Sequence, residues 1–282
     1  MNSVILYRRK IAGAIEDKEE IEAIDSIGLP RIHQRSNLKY FAGDTKIVVP
    51  RYYLWPFASE VILDIELMGC RAINDIRSSL WIRDCGEWSS SLHGLTPDTW
   101  NWNAYTSMLR DPGPVVLKGA EKSCGHKWLT HMYAKDRSSA VANYMRLMED
   151  SMFSEEDIYV RRYEPLKRLQ IQDENIFPNR PPCSEEYRFF VLDGKVICSG
   201  FYWSSYVDEM VNLPPHPSEV PIEFLQSVIN RVRNDAPCLR LWVMDVARKV
   251  DGGWIVVELN DGCSSGLSNI DPKEYYAAIS NL

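Results

Sequence analysis

Apolar and polar positions along the chain fall into short runs of two periods. Residues 3–7 (SVILY) form an unbroken, largely apolar stretch, the mark of a short buried strand. Residues 15–27 (IEDKEEIEAIDSI) place Ile15, Ile21, Ile24 and Ile27 at roughly helical spacing on an otherwise acidic segment, which Gly28 and Pro30 stop. KIVVP (46–50) reads as a second strand. SEVILDIELMGCRAIN (59–74) reads as an apolar-faced helix with Ser59 as its N-cap. Strand, helix, strand, helix is the rhythm of a small α/β unit.

From 84 to 104 (DCGEWSSSLHGLTPDTWNWNA) the period is lost among Ser, Gly, Asn and Trp, so a linker or loop with short turns is expected there. It separates an N-terminal α/β domain, residues 1–90, from a second domain, residues 91–282. Beyond it VVLK (115–118) and IYVRRY (158–163) read as strands on either side of a helix over 138–150. EYRFFVLDGKVICSGFYW (186–203) reads as a hairpin, because Asp193-Gly194 sits between two β-rich runs. Residues 221–234 form an amphipathic helix opened by Pro221. LRLWVMDVARKV (239–250) and GWIVVELN (253–260) pair around Asp251-Gly252-Gly253, and DPKEYYAAISNL ends the chain as a helix.

Composition narrows the function classes. At 282 residues, 45% hydrophobic and 25% charged, the chain can bury a sizeable core in one large domain or two closely packed ones. A net charge of −7 argues against a protein that coats nucleic acid, since that affinity comes from Lys and Arg neutralising phosphates. Seven cysteines, an odd set without a C-x-x-C pair, read as reduced thiols. No run of 18 apolar residues predicts a membrane span, and the N-terminus lacks the layout of a signal peptide, so a cytosolic protein is expected. The five histidines form no zinc-hydrolase pattern, and no Walker A loop, G-x-G-x-x-G or G-x-S-x-G occurs.

The chemistry concentrates in three places. Glu258 and Asn260 lie two apart on one strand and so share a face, and Asp245 lies opposite them if the Asp-Gly-Gly hairpin sets the register. Two carboxylates and an amide oxygen are hard ligands suited to Mg²⁺ shared with nucleotide phosphates. A strand carboxylate usually sits on a wet face, but these two lie in runs that are apolar on both sides, where unpaired charge is costly. Lys118 ends an apolar strand beside a Gly/Ser segment, which suits a phosphate ligand as well as it suits an ordinary strand-end lysine. That segment, residues 119–128, is expected to be a lid whose Lys122 and Lys127 approach anionic oxygens and which orders when nucleotide is present. Arg161, Arg162 and Arg188 stand in β-rich runs and need a carboxylate or phosphate to grip. Alternation groups Tyr159, Arg161 and Tyr163 against Val160 and Arg162, so one arginine faces the site and one faces water.

The order Lys118, loop, helix, Arg161-x-Tyr163, Arg188 hairpin, Asp245 strand, Glu258-x-Asn260 resembles the ATP-grasp superfamily, and most resembles its clade of two arginines and one lysine, over roughly residues 110–270. The resemblance implies an α+β fold with two subdomains sandwiching the nucleotide, preceded by the small N-terminal α/β domain. It implies ATP and Mg²⁺ as cofactors and an ADP-forming carboxylate-amine or carboxylate-thiol ligase acting through an acyl phosphate. Its substrates would be small-molecule, peptide or protein carboxylates and amines. A phosphotransferase or a non-catalytic nucleotide-binding protein would use the same residues. Lys118 would meet the α or β phosphate, Arg161 and Arg188 the phosphates or acyl phosphate, and Asp245, Glu258 and Asn260 the metal. Arg162, Tyr163 and Glu164 would form the adenine hinge. Arg162 departs from the acidic residue frequent at that position.

Overall fold

The computed structural model describes residues 2–7, 17–41, 46–121, 123, 125–153, 156–172, 179–212 and 216–282. The N-terminal apolar runs build a parallel sheet. Its elements are β1 (Ser3–Tyr7), α1 (Lys18–Ile27), β2 (Arg31–Ile32), β3 (Ile47–Arg51), α2 (Ala58–Leu67) and β4 (Arg71–Ala72), and the strand order is β2-β1-β3-β4. The expected helix at 15–27 begins at Lys18, because Asp17 caps the Glu20 N–H, and ends on left-handed Gly28. Ile15 lies outside the described residues.

Three expectations about this half are corrected. The helix expected from Ser59 starts at Ala58, its N-cap position is Phe57 with no side-chain cap, and it stops at Leu67 before Gly69 (φ 75°). A further helix, α3 (Ile76–Arg83), follows at once, capped by Asp75 onto the Ser78 N–H. The stretch 84–104 is mostly regular: α4 (Cys85–Ser91), β5 (Thr99–Asn101) and α5 (Trp102–Thr106). Asp84 caps the Gly86 and Glu87 N–H groups, and Cys85 and Trp88 are buried three apart, so packing overrides the weak helix propensity of a Ser/Gly-rich run.

The second sheet is antiparallel and ordered β5-β8-β6-β7, from β6 (Val115–Gly119), β7 (Tyr133–Ala134), α6 (Arg137–Glu149) and β8 (Ile158–Arg162). Val115, Leu117, Ile158 and Val160 turn one face toward Ala140 and Leu147 of α6. Alternation therefore puts Val116, Lys118, Tyr159 and Arg161 on the other face.

The third sheet is also antiparallel, ordered β10-β9-β11-β12. It comprises β9 (Glu186–Leu192), β10 (Lys195–Phe201), β11 (Leu241–Arg248) and β12 (Trp254–Asp261), with α7 (Ile222–Asp235) and α8 (Pro272–Ser280). The β9–β10 turn uses Asp193 (φ 49°) and Gly194 (φ 75°), the two left-handed positions of the tight hairpin that its Asp-Gly pair demands. Tyr187, Phe189, Val191, Trp242 and Met244 bury one face against α7 together with Ile82 and Trp88. Phe190, Leu241 and Val243 pack through α8 residues Tyr275 and Ile279 onto Ile5, Ile24 and Val49 of the N-terminal sheet. No helix among the described residues is long and apolar enough to cross a membrane.

Candidate active site

The free face of the second sheet looks across a gap at the polar end of the third sheet's β9–β11–β12 face. Register decides what meets there. Asp245 pairs with Glu258 on one side and with Arg188 on the other, so all three side chains emerge on the same face. Just beyond, β12 carries a bulge: Val246 pairs with Val256, leaving Val257 as the extra residue. Its freed carbonyl accepts from the Arg161 guanidinium at 2.7 Å, which ties the two sheets together.

Two cation–carboxylate pairs hold the centre. Lys118 Nζ lies 2.5 Å from Glu258 Oε1, and Arg188 grips both oxygens of fully buried Asp245 at 2.8 Å each. Burial opposes the charge on Lys118, but the Glu258 carboxylate outweighs it and holds the amine above its usual range. Burial also pushes against ionised Glu258. The Lys118 charge and hydrogen bond, then the Asn260 amide, reverse this and hold it below the ordinary carboxylate range. Burial pushes Asp245 up, and the Arg188 contact works against that.

Asn260 Nδ2 donates to Glu258 Oε2 at 3.1 Å, while its Oδ1 has no donor among the described residues. Glu258 and Asn260 share a face through their two-residue spacing, and the bulge, rather than the hairpin register, brings Asp245 beside them. Among the described residues no three His, Cys, Asp or Glu side chains gather as a metal cluster, so the set is two carboxylates and one amide. That donor set suits a hard cation that keeps water and phosphate among its ligands.

Two cavities meet at this centre and share Lys118 and Glu258 in their walls. The first, about 450 Å³, runs between the second and third sheets. Val116, Trp128 and Met132 form one side and Leu166, Ile255 and Val257 the other. At its edge the Tyr163 N–H donates to the Pro114 carbonyl, whereas the Tyr163 carbonyl and the Glu164 N–H have no partner among the described residues. An apolar slot rimmed by one free acceptor and one free donor has the complementary groups that a heteroaromatic base offers. The second cavity, about 430 Å³, opens toward the N-terminal sheet and is walled by Tyr53, Trp55, Arg83, Glu121, Arg188 and Asn260, among others.

The remaining arginines and lysines part company. Arg161 is buried, stacked over Trp88 at 5.1 Å, and each guanidinium nitrogen already has a protein acceptor in Val257, Thr96 or Thr99. Arg162 points outward to Asp98 at 3.1 Å, as alternation requires, and reaches the first cavity only at its rim. Lys127 pairs with Asp150 at 2.7 Å and is not part of the cavity wall, although its neighbours His126 and Trp128 are. Lys122 lies outside the described residues.

Glu186 is the group that sequence reading passed over. It is buried on the first cavity's wall, and Ser184 Oγ and Trp203 Nε1 both donate to its Oε2 at 3.1 Å. Its Oε1 has no donor among the described residues. Burial first, then the Asp245 charge, pushes its carboxyl up to about 8. Its two-residue offset from Arg188 was a usable signal, since positions 186 and 188 share a strand face.

Residues 106–279 match the model of an ATP-grasp domain, family 3 of the clade named for two arginines and one lysine. No curated protein matches the chain. The fold is similar to that of D-cycloserine synthetase DcsG, with TM-score 0.59, 14% identity and 99% of each chain covered. It is also similar to the ATP-grasp ligase PsnB in complex with precursor peptide PsnA2 and AMPPNP, with TM-score 0.60, 14% identity and coverage of 99% of this chain and 97% of that one. A third likeness is to D-alanine–D-alanine ligase from Bacillus anthracis in complex with ATP, with TM-score 0.55, 15% identity and coverage of 99% and 92%. At these identities the likeness establishes the fold, the α+β nucleotide-sandwich architecture expected from the sequence.

Proposed function

The chain belongs to family 3 of the two-arginine, one-lysine clade of ATP-grasp domains, and on that premise we propose that it is an ATP-dependent ligase that activates a carboxylate as an acyl phosphate and transfers the acyl group to an amine or thiol. One observation carries this reading. The Lys118–Glu258 pair stands in the walls of two cavities, one with an apolar slot for a base and one with room for a second substrate, and Arg188, held by buried Asp245, lines the second.

The adenine enters the slot between Met132 and Leu166 and takes the Tyr163 carbonyl and Glu164 N–H. The phosphates then reach the centre, where Lys118 exchanges its carboxylate partner for a phosphate oxygen, a point-charge contact of the kind lysine makes well. Asp245, Glu258 and Asn260 would hold Mg²⁺, which neutralises phosphate charge when bound. Arg161 keeps its protein partners and acts by holding Val257, and with it Glu258, in place while adding positive charge to the wall. Closure of the 119–128 segment on bound nucleotide would bring Lys122 and Lys127 toward the phosphates, Lys127 leaving Asp150 to do so.

A substrate carboxylate in the second cavity attacks the γ-phosphorus, and the bond to the ADP oxygen breaks. Two anions approach one another in this step, so the work falls to positioned positive charge, chiefly Lys118 and Arg188. The acceptor amine or thiol then attacks the acyl carbon, phosphate leaves, and the acceptor loses its proton. Incubation with ATP, Mg²⁺ and pooled amino acids should yield ADP together with a new amide or thioester detectable by mass spectrometry. AMP as the nucleotide product would overturn the acyl-phosphate route.

A further inference from the structure

The second cavity contains a guanidinium that none of the chemistry above uses. Arg83, at the C-terminal end of α3, donates from Nε to Glu121 Oε2 at 2.6 Å, and its guanidinium lies 4.3 Å from the centre of the Trp55 ring. The Tyr53 hydroxyl donates to the other Glu121 oxygen, so the carboxylate that orients Arg83 is itself held. The two terminal nitrogens of Arg83 have no acceptor among the described residues, and the side chain keeps 32% of its exposure, facing the cavity. A planar fork fixed through Nε and one ring face, with both terminal amino groups free, presents the geometry that grips a carboxylate bidentately. An ordinary exposed ion pair, contributing little to stability, would need neither the aromatic stack nor the cavity.

The opposite wall sets the class of ligand. Lys118, Glu258 and Arg188 stand where the reacting carboxylate must meet the nucleotide, so an anion on Arg83 belongs to a different part of the substrate. We propose that Arg83 binds a second, non-reacting carboxylate of the substrate, and that the second cavity therefore takes a small dicarboxylate, acidic amino acids included, in preference to a monocarboxylate. This rests on the ligase reading for which carboxylate reacts. The carboxylate contact to Arg83 itself does not depend on it.

The test uses the full chain as wild type, Arg83→Gln and Arg83→Lys, first compared by thermal unfolding. Malonate, succinate, glutarate and L-glutamate, with acetate and monomethyl glutarate as monoanionic controls, are titrated calorimetrically with and without ADP and Mg²⁺. At least one of the first four should bind wild type tenfold or more tightly than Arg83→Gln, with Arg83→Lys between them and the monoanions not discriminating. Equal binding of every probe to wild type and Arg83→Gln overturns the proposal. Failure of wild type to bind ADP would instead remove the ligase reading, while the probe series without nucleotide still decides on Arg83. If Arg83→Gln does not fold, phenylglyoxal labelling of wild-type Arg83, read by peptide mass spectrometry, replaces it. Protection by the dianionic probes and not by acetate is expected, and equal labelling with and without them overturns the proposal.

Discussion

Arg51 and Arg188 are built almost alike. Each grips a carboxylate through Nε and one terminal nitrogen at 2.8 Å, Arg51 on Glu20 and Arg188 on Asp245. Each sends its other terminal nitrogen to carbonyls of the same loop, Arg51 to Cys263 and Ser265 and Arg188 to Gly266. Each lies near a tyrosine ring, Tyr275 for Arg51 and Tyr202 for Arg188. The difference lies in what surrounds the carboxylate. Glu20 takes a further hydrogen bond from the Tyr276 hydroxyl at 2.5 Å, and neither Arg51 nor Glu20 lines either cavity. Asp245 is as buried as Glu20, but Arg188 itself lines the second cavity, and the carboxylate's charged neighbours Glu258 and Lys118 line both cavities and Glu186 the first. A closed network fastens α1, β3 and α8 to the loop that follows β12. An open one has partners to exchange. Burial and pairing alone therefore do not separate structure from function; access to a cavity does.

Breaking the closed network should have the largest effect on stability. Arg51→Met leaves Glu20 buried without its cation and is expected to cost about 3–5 kcal/mol in denaturant unfolding. The double variant Arg51→Met/Glu20→Gln should recover a good part of that, because no buried charge then remains unpaired. A single variant within about 1 kcal/mol of wild type would show the network to be as open as the other.

Glu258→Gln tests the open network. ATP turnover should fall roughly 10²–10³-fold, while stability falls by about 1–3 kcal/mol, less than in Arg51→Met, because buried Lys118 loses its anion but keeps the amide oxygen as an acceptor. Unchanged turnover would remove the metal and phosphate assignment of this centre.

Glu186 offers a smaller effect with a pH signature. Its folded carboxyl is pushed up to about 8, whereas an unfolded glutamate titrates near 4.3. The folded state therefore holds the proton more tightly. This contribution to stability is complete below about pH 4.3 and is lost as pH rises to about 8. Glu186→Gln should lack that slope, gaining on wild type by something on the order of 2 kcal/mol between pH 5 and pH 8 in paired thermal melts. Parallel pH profiles would mean that Glu186 is ionised in the folded protein.

The smallest effect is expected on the exposed side of the same strand as Arg161. Arg162→Gln breaks a half-exposed pair with Asp98 and should change stability by about 0–1 kcal/mol and ADP affinity by less than twofold. A tenfold loss of ADP affinity would show that Arg162 turns inward when nucleotide binds.

Local pattern alone was enough for much of this protein. The Asp193-Gly194 and Asp251-Gly252-Gly253 turns set two hairpins, but the second turn's register alone would place Asp245 opposite Val257, and only the bulge at Val257 brings it opposite Glu258. Strand alternation likewise put Arg161 and Arg162 on opposite faces, and packing decided that Arg161 is the inward one. What pattern could not supply is anything carried by contacts distant in sequence. The helix at Cys85–Ser91 exists because Trp88 is buried against the third sheet and Asp84 happens to cap it, not because its serines favour a helix. Lys118 meets Glu258 across 140 residues, Arg161 finds a carbonyl freed by a bulge, and Glu186 becomes a weak acid only because burial and Asp245 surround it. A period of two or 3.6 residues tells which face a side chain takes. Which other face it then confronts, and at what cost in desolvation, was decided by the packing of three sheets.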